Sequence, residues 1–364
     1  MPIKVLFVAS SLRIGGSERV LIEILKRLDR GAFEPHLALL ACEGGFLEHV
    51  PPDIPVHWVG ARRARTASLP LARLCWSLRP QAILSFAAQV NAALILAKPL
   101  LPRGTRVLVR EGANVTLAEV AGCVRRAAYR TLYRHADAVI CQSDDMIRRM
   151  VTCFGLPRHK LFRIYNPVDP VELEQRAEGG FTYKGPRPHL IAVGRFAHVK
   201  GMDLLIRAMA VIVRDYPAAR LTLVGGGPLE TDLRELARST GVEATVDFMG
   251  YQNNPYPFIR AADLLVIPSR NEALPNVALE ALALGIPVVA TDCPGGIREI
   301  AQCTKRLVLA GVDADALATA IKQAIVEMPK HESHRSQEAD FLREFSPGRI
   351  IPLYEELIGH ASPI

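Results

Sequence analysis

Two carboxylates stand eight positions apart in the last third of the chain, Glu272 and Glu280. Glu272 lies in a loop after the apolar run 263–267, and Glu280 lies inside the helical pattern that follows it. Pro275 suits the first turn of that helix, where a missing N–H costs nothing, and Gly285 suits its end before the apolar run 287–290. A strand therefore delivers an acidic loop to a helix N-terminus, and unpaired amides there favour a phosphate. Arg195 and Lys200, five residues apart and bracketed by Gly194 and Gly201, fall at a second strand–helix turn. Arg can grip phosphate oxygens in bidentate fashion, and Lys supplies a compact charge. The run Gly225-Gly226-Gly227 and the pair Gly15-Gly16 each follow an apolar run, where glycine lets backbone approach a ligand closely. Each feature alone has a plainer reading: a loop acid, a helix-face acid, a solvated basic pair, an ordinary turn.

The elements that must position these residues follow from the apolar pattern. In the first half, strands are predicted at 3–10, 36–41, 56–59, 82–86, 106–109 and 138–141, with helices at 17–28 (Ser17 as N-cap), 69–78, 91–98, 117–135 and 145–154. The stretch 171–188, rich in Glu, Gly and Pro, is expected to be a linker. The alternation then restarts, with strands at 189–194, 220–224, 245–249, 263–267 and 287–290 and helices at 201–215, 229–239, 255–261, 275–284, 313–327 and 335–345. Apolar strands alternating with amphipathic helices imply an α/β architecture of two Rossmann-like, doubly wound parallel-sheet domains, 1–170 and 189–349. In such sheets ligands bind beyond the carboxyl ends of the strands, and every motif named above falls just after a strand, at an expected cleft between two facing domains.

Taken together and in order, these segments resemble retaining GT-B glycosyltransferases, in particular glycosyltransferase family 4. The segments are Ile14-Gly-Gly-Ser-Glu-Arg19, Ile164-Tyr-Asn-Pro-Val-Asp169, Gly194-Arg-Phe-Ala-His-Val-Lys-Gly201, Leu223-Val-Gly-Gly-Gly-Pro228 and the stretch 261–290 around Glu272 and Glu280, so the resemblance covers nearly the whole chain. It implies that Arg195 and Lys200 hold the diphosphate of a nucleotide-sugar, with Glu272 beside the transferred sugar and Glu280 on the ribose hydroxyls. The backbone amides of Leu274 and Asn276 would complete the phosphate site, Gly226 and Gly227 would line the donor, Gly250 and Tyr251 would stand near the base, and Gly15 and Gly16 would face the donor phosphates or the acceptor. Some members carry a histidine after an N-domain strand, but here that strand runs into Arg110, Glu111 and Asn114. These three resemble residues of a branch acting on lipid-linked or polysaccharide acceptors, with packing an equal reading for Glu111. The last helix, about 350–364, is expected to cross back to the first domain. The donor is expected to be a UDP-sugar, and the acceptor a saccharide, possible on a lipid carrier. No metal and no cofactor are expected, because the basic pair and the helix N-terminus supply the charge. A GT-B epimerase and a non-catalytic sugar-nucleotide-binding scaffold are the alternatives.

Charge supports a division of labour. Residues 1–170 carry 24 Lys and Arg against 13 Asp and Glu, and the remainder 20 against 24, within a formal net charge of +7. Nucleic acid, an anionic membrane or a phosphorylated substrate would each suit the basic half, and the resemblance selects the last two and no nucleic acid. Arg126, Arg130 and Arg134 recur every four residues beside Tyr129 and Tyr133, with Arg62, Arg63 and Arg65 as a second basic group. They could meet lipid headgroups or an acceptor pyrophosphate, or form a solvated face. Seven cysteines with no Cys-x-x-Cys pair read as free thiols, and the histidines show no metal-ligand spacing. The best apolar run, 82–101, is broken by Gln89, Asn91, Lys98 and Pro99, and the chain opens directly on a strand, so a cytoplasmic protein peripheral on the inner membrane face is expected.

Overall fold

Each apolar run becomes a parallel strand in the computed structural model, which describes residues 1–12, 15–41, 45–61, 66–86, 88–112, 130–327 and 339–360. Packing divides the chain into two units, Met1–Pro167 with Pro347–Ile364, and Val168–Ser346. The expected limits at 170 and 349 thus lie a few residues beyond the observed ones.

Among the described residues the first unit holds seven strands: β1 (Ile3–Ala9), β2 (Phe33–Leu39), β3 (Val56–Trp58), β4 (Ala82–Ser85), β5 (Arg106–Arg110), β6 (Ala138–Cys141) and β7 (Leu161–Arg163). Their order is β3-β2-β1-β4-β5-β6-β7, and every pairing is parallel. Strands buried on both faces must be apolar throughout, and β1 and β4 are built from Val5, Leu6, Phe7, Val8, Ile83 and Leu84, all without solvent exposure. Helices α1 (Gly16–Arg27), α2 (Ser68–Leu78), α3 (Ala88–Ala97) and α4 (Asp144–Thr152) cover the sheet. Helix α1 begins with Gly15 as its N-cap, not Ser17; Gly15 takes the extended backbone of a cap and its carbonyl accepts from the Arg19 amide at 3.1 Å.

The second unit pairs β8 (His189–Val193), β9 (Arg220–Val224), β10 (Val246–Gly250), β11 (Leu264–Ile267), β12 (Val288–Thr291) and β13 (Leu307–Ala310) in the order β10-β9-β8-β11-β12-β13, again all parallel. Around this sheet lie α5 (Pro170–Ala177), α6 (Met202–Asp215), α7 (Glu230–Ser239), α8 (Tyr256–Ala261), α9 (Asn276–Ala283), α10 (Ile297–Cys303), α11 (Ala314–Glu327) and α12 (Ala339–Glu344). Leu190, Leu221, Leu223, Leu205, Met209 and Ile321 form its core between the sheet, α6 and α11.

The segment expected as a linker, 171–188, instead carries most of α5 and belongs to the second unit. Asp169 caps this helix by accepting from the amides of Val171 and Glu172, Pro170 occupies the first turn, and Leu173 and Ala177 are buried. Arg260 of α8 pairs with Glu174, and Asn254 donates to the Arg176 carbonyl at 2.7 Å, so α5 is anchored to the unit's own side chains.

The last helix, α13 (Pro347–Gly359), joins the first unit and packs beside α1. Ile350, Ile351, Tyr354, Leu357 and Ile358 are its buried face. Glu355 accepts from the Asp29 amide at 2.8 Å, and Arg106 of β5 reaches the carbonyls of Leu357 and Ile358.

Candidate active site

Both sheets reverse their strand order once, between β1 and β4 and between β8 and β11. Connections leave to opposite sides at such a point and open a crevice beyond the strand ends. In the second unit the crevice receives the β8–α6 turn from one side and the β11–α9 loop from the other. They meet without room to spare. Gly201 has φ +64, and a Cβ there would overlap the Pro268 carbonyl. The Arg270 amide donates to the Val199 carbonyl at 2.8 Å. The Arg270 side chain donates to the His198 carbonyl at 2.8 Å and to both oxygens of Asp203 at 2.7 Å. Burial pushes the Asp203 carboxyl up, but the Arg270 hydrogen bonds and charge outweigh it and hold the group below its usual range.

This clamp brings Lys200 to Glu272, with Nζ donating to Oε1 at 2.6 Å. Ser269 donates from Oγ to the same oxygen at 2.6 Å, and the Ser269 carbonyl in turn accepts from the Thr291 hydroxyl at the end of β12. Glu272 is 9% exposed and Ser269 1%. The Glu272 amide donates to the Pro294 carbonyl at 3.0 Å, fixing the loop to the strand beyond. Two of the sequence candidates, 72 residues apart, are thus joined as an ion pair at the switch point. Arg195 lies exposed on the same turn.

The triple-glycine turn lies alongside. Gly225 has φ +141, and a Cβ there would overlap the Gly194 carbonyl; one on Gly227 would overlap Phe196 backbone. These two glycines are therefore required by the contact between turns. At Gly226 an added Cβ has room, and its carbonyl accepts from the Phe196 amide at 2.9 Å. Gly250 accepts from the Gly225 amide at 2.9 Å, and Tyr251 is exposed just after it.

Pro275 is the N-cap of α9 rather than part of its first turn, with ψ 102, and the helix begins at Asn276. The residue before the first turn must be extended, and Pro275 provides that. Leu274 is buried ahead of it. Glu280, 6% exposed, accepts from the Tyr256 hydroxyl at 3.3 Å, with the Arg176 guanidinium 4.7 Å over that ring. Ser269, Arg270, Asp203 and Tyr256 were not among the sequence candidates. The Ser three positions before Glu272 was the available signal for the first; Arg270 and Asp203 lie beside Glu272 and Lys200, but their mutual pairing spans 67 residues, and Tyr256 is distant in sequence from Glu280.

The first unit places Gly15 and Gly16 at the N-terminus of α1. Glu18 folds back over Gly15; burial pushes its carboxyl up, with the Arg110 charge acting against that. Arg110 ends β5 and Glu111 follows it, and both are buried, at 1% and 0% exposure. Arg110 donates to Asn166 Oδ1 at 2.5 Å and lies 5.3 Å over the Phe86 ring. Glu111 accepts from the Tyr133 hydroxyl at 2.6 Å. Asn91 links this group together, donating to Tyr133 and to the Arg110 carbonyl and accepting from Ser85 at 2.6 Å. The side chains of Arg110 and Glu111 are thus set in a buried polar network.

Asn114 and Arg126, with Arg62, Arg63, Arg65 and most of the 117–135 helix, lie outside the described residues. Arg130 and Arg134 both stand against Gly155 beyond the end of α4, Arg134 donating to its carbonyl at 3.1 Å. Cations at a helix C-terminus complement its dipole. Cys75, Cys141 and Cys293 are free and buried, and burial pushes each thiol up to about 12. Cys153 is half-buried, and Cys303 is exposed, its thiol donating to the Glu299 carbonyl at 3.3 Å. Among the described residues no helix is long and apolar enough to cross a membrane.

Two parallel doubly wound units, with an acidic loop and a basic turn clamped together at a switch point, define a GT-B glycosyltransferase architecture. Solved structures share it: HepE of Anabaena in complex with UDP (TM-score 0.78, 20% identity, 98% of this chain and 100% of that one) and the lipopolysaccharide glycosyltransferase WaaG (TM-score 0.74, 18% identity, 98% and 100%). The family model described as Glycosyltransferase Family 4 matches residues 14–172, and that described as Glycosyl transferases group 1 matches 187–327. The chain belongs to glycosyltransferase family 4 and, like its relatives, is a transferase. A Campylobacter jejuni N-acetylgalactosaminyltransferase named for a diphospho-undecaprenol acceptor is 27% identical over 80% of this chain and 81% of its own. A lipopolysaccharide core glycosyltransferase of Rhizobium meliloti is 25% identical over 94% and 96%. An uncharacterized glycosyltransferase of Methanocaldococcus jannaschii is 32% identical, with the match spanning 48% of this chain and 44% of that relative.

Proposed function

We propose that this protein transfers a sugar from a UDP-sugar to a hydroxyl of a saccharide acceptor on a lipid carrier, with retention at the anomeric carbon. The observation that carries this reading is the Lys200–Glu272 pair at 2.6 Å. Charge grows on a diphosphate as the glycosidic bond breaks, and a fixed cation aimed there lowers the barrier. Lys200 and Arg195 are the cations, the α9 N-terminus is the dipole, and Glu272 meets the hydroxyls of the transferred sugar. Glu280 holds the ribose, with Gly226, Gly250 and Tyr251 around the rest of the nucleotide. These groups supply the positive charge without a metal ion, so turnover persists in a chelator. The acceptor side is assigned to Gly15, Gly16, Arg110 and Glu111, and the work is done at the inner face of the membrane.

HepE in its UDP complex favours a uridine donor. GDP-mannose-dependent mannosyltransferases, 32% identical over 66% of the chain in Mycobacterium tuberculosis, favour a guanosine donor as the second reading. A thermal-shift screen separates the two. A ligand at a hundred times its dissociation constant adds about 2.7 kcal/mol. The expected result is stabilisation by UDP and UDP-sugars and none by GDP or GDP-mannose; the reverse selects the second reading.

A further inference from the structure

Helix α2 shows solvent a row of residues that a soluble surface would not select. Leu69, Arg73 and Trp76 recur at i, i+4 and i+7, a single stripe, and all are exposed, Leu69 at 62% and Trp76 at 51%. The Trp76 indole N–H donates to the Leu100 carbonyl at 2.8 Å, which joins this stripe to the end of α3. There Leu96 and Leu100 are 58% and 48% exposed. The Arg79 guanidinium lies 4.4 Å over the Trp76 ring, and Arg103 is exposed just beyond α3. The opposite faces of the two helices bury Leu71, Cys75, Val90 and Leu94, so the exposed row is additional to the core.

The segment that carries this row has charge of one sign, and at its edge Lys98 is paired with Asp137 from outside the segment. Between Asp53 and Glu111 the sequence contains no acidic residue and nine Lys and Arg. Solvated surfaces ordinarily mix both signs. Leu and Trp flanked by Arg, with no acid, is the composition of a segment that lies in a bilayer interface, where the indole sits at headgroup level and arginine stems reach back to phosphates.

We propose that this α2–α3 face docks on a bilayer containing anionic lipid, with Leu69, Trp76, Leu96 and Leu100 at the acyl boundary and Arg73, Arg79 and Arg103 on headgroup phosphates. It rests on the reading of a lipid-linked acceptor only for its purpose, since vesicle binding is measured without donor or acceptor. The full chain is used. Its two tryptophans are Trp58 and Trp76, so Trp58→Phe leaves Trp76 as the reporter. With phosphatidylcholine vesicles containing phosphatidylglycerol, Trp76 emission shifts to the blue and is quenched by brominated acyl chains; with phosphatidylcholine alone it does not. Leu69→Glu with Leu100→Glu, and separately Arg73→Glu with Arg103→Glu, lower co-sedimentation at least about tenfold, while the donor-induced thermal shift shows that each variant is folded. Unchanged Trp76 emission with anionic vesicles, or undiminished sedimentation of the Leu pair variant, overturns the proposal. So does a lipid-free dimer that this variant converts to monomer, which would make the face a contact between copies of the chain.

Discussion

At the scale of single residues, the Lys200–Glu272–Ser269 group makes the sharpest demands. Lys200→Ala and Arg195→Ala are each expected to lower kcat/KM by roughly ten- to a thousandfold, as for loss of an electrostatic donor. Steady-state transfer with near wild-type values in both variants would remove them from the mechanism. Ser269→Ala takes one hydrogen bond from a buried carboxylate and is expected to lower kcat about tenfold or more, with Ser269→Thr restoring part of it. If KM alone moves, Ser269 acts on binding and not on Glu272. Lys200 and Glu272 could be read from the sequence because a cation after one strand and an acid after another must converge on the same crevice. Ser269 could not be ranked, because its role depends on the loop turning back so that its Oγ and the carboxylate three residues on share one point. Tyr256, which donates to Glu280 from 24 positions away, gives no local signal at all.

At the scale of elements, the β8–α6 turn and the β11–α9 loop function as one piece. Gly201 is where they touch, and Gly201→Ala adds both a positive-φ strain and a clash with backbone that cannot yield. It is expected to destabilise the second unit by about 2 kcal/mol or more in urea unfolding, and to reduce transfer in the fraction that folds because Lys200 is displaced. An unchanged midpoint would show that the turn relaxes freely. Most strands and helices were legible because parallel strands buried on both faces give unbroken apolar runs. Helix α10 and strand β13 were not predicted: Pro294-Gly295-Gly296 reads as loop, and the seven- and four-residue elements after it are too short to show a period. Helix α5 was hidden for the opposite reason, its buried Leu173 and Ala177 being outnumbered by the polar residues expected of a linker.

At the scale of the whole molecule, each unit contains a histidine whose proton affinity folding has reduced. Burial lowers His57 in the first unit, helped by the neighbouring His36, and burial lowers His189 in the second. A depressed histidine is neutral in the fold but protonates in the unfolded chain, so unfolding takes up protons below the ordinary value of about 6.5. Stability is therefore full above that value and is lost as pH falls through it. Calorimetry between pH 7.5 and 5.5 should show melting temperatures falling, and His57→Gln should flatten the fall for the first unit. An equal slope in that variant would assign the loss elsewhere. The last helix carries a different consequence. Because α13 is packed on α1 and brings Tyr354 beside Arg110, the first unit is a discontinuous stretch of chain closed by Pro347–Gly359. On the ribosome, the second unit emerges whole before the first can be completed, so the order of synthesis and the order of maturation are inverted. A chain stopped at residue 346 should melt with the second unit's transition intact and the first unit's broadened or missing, and the growing N-terminal half must wait, with the bed for α13 still open, until Pro347–Gly359 has been made.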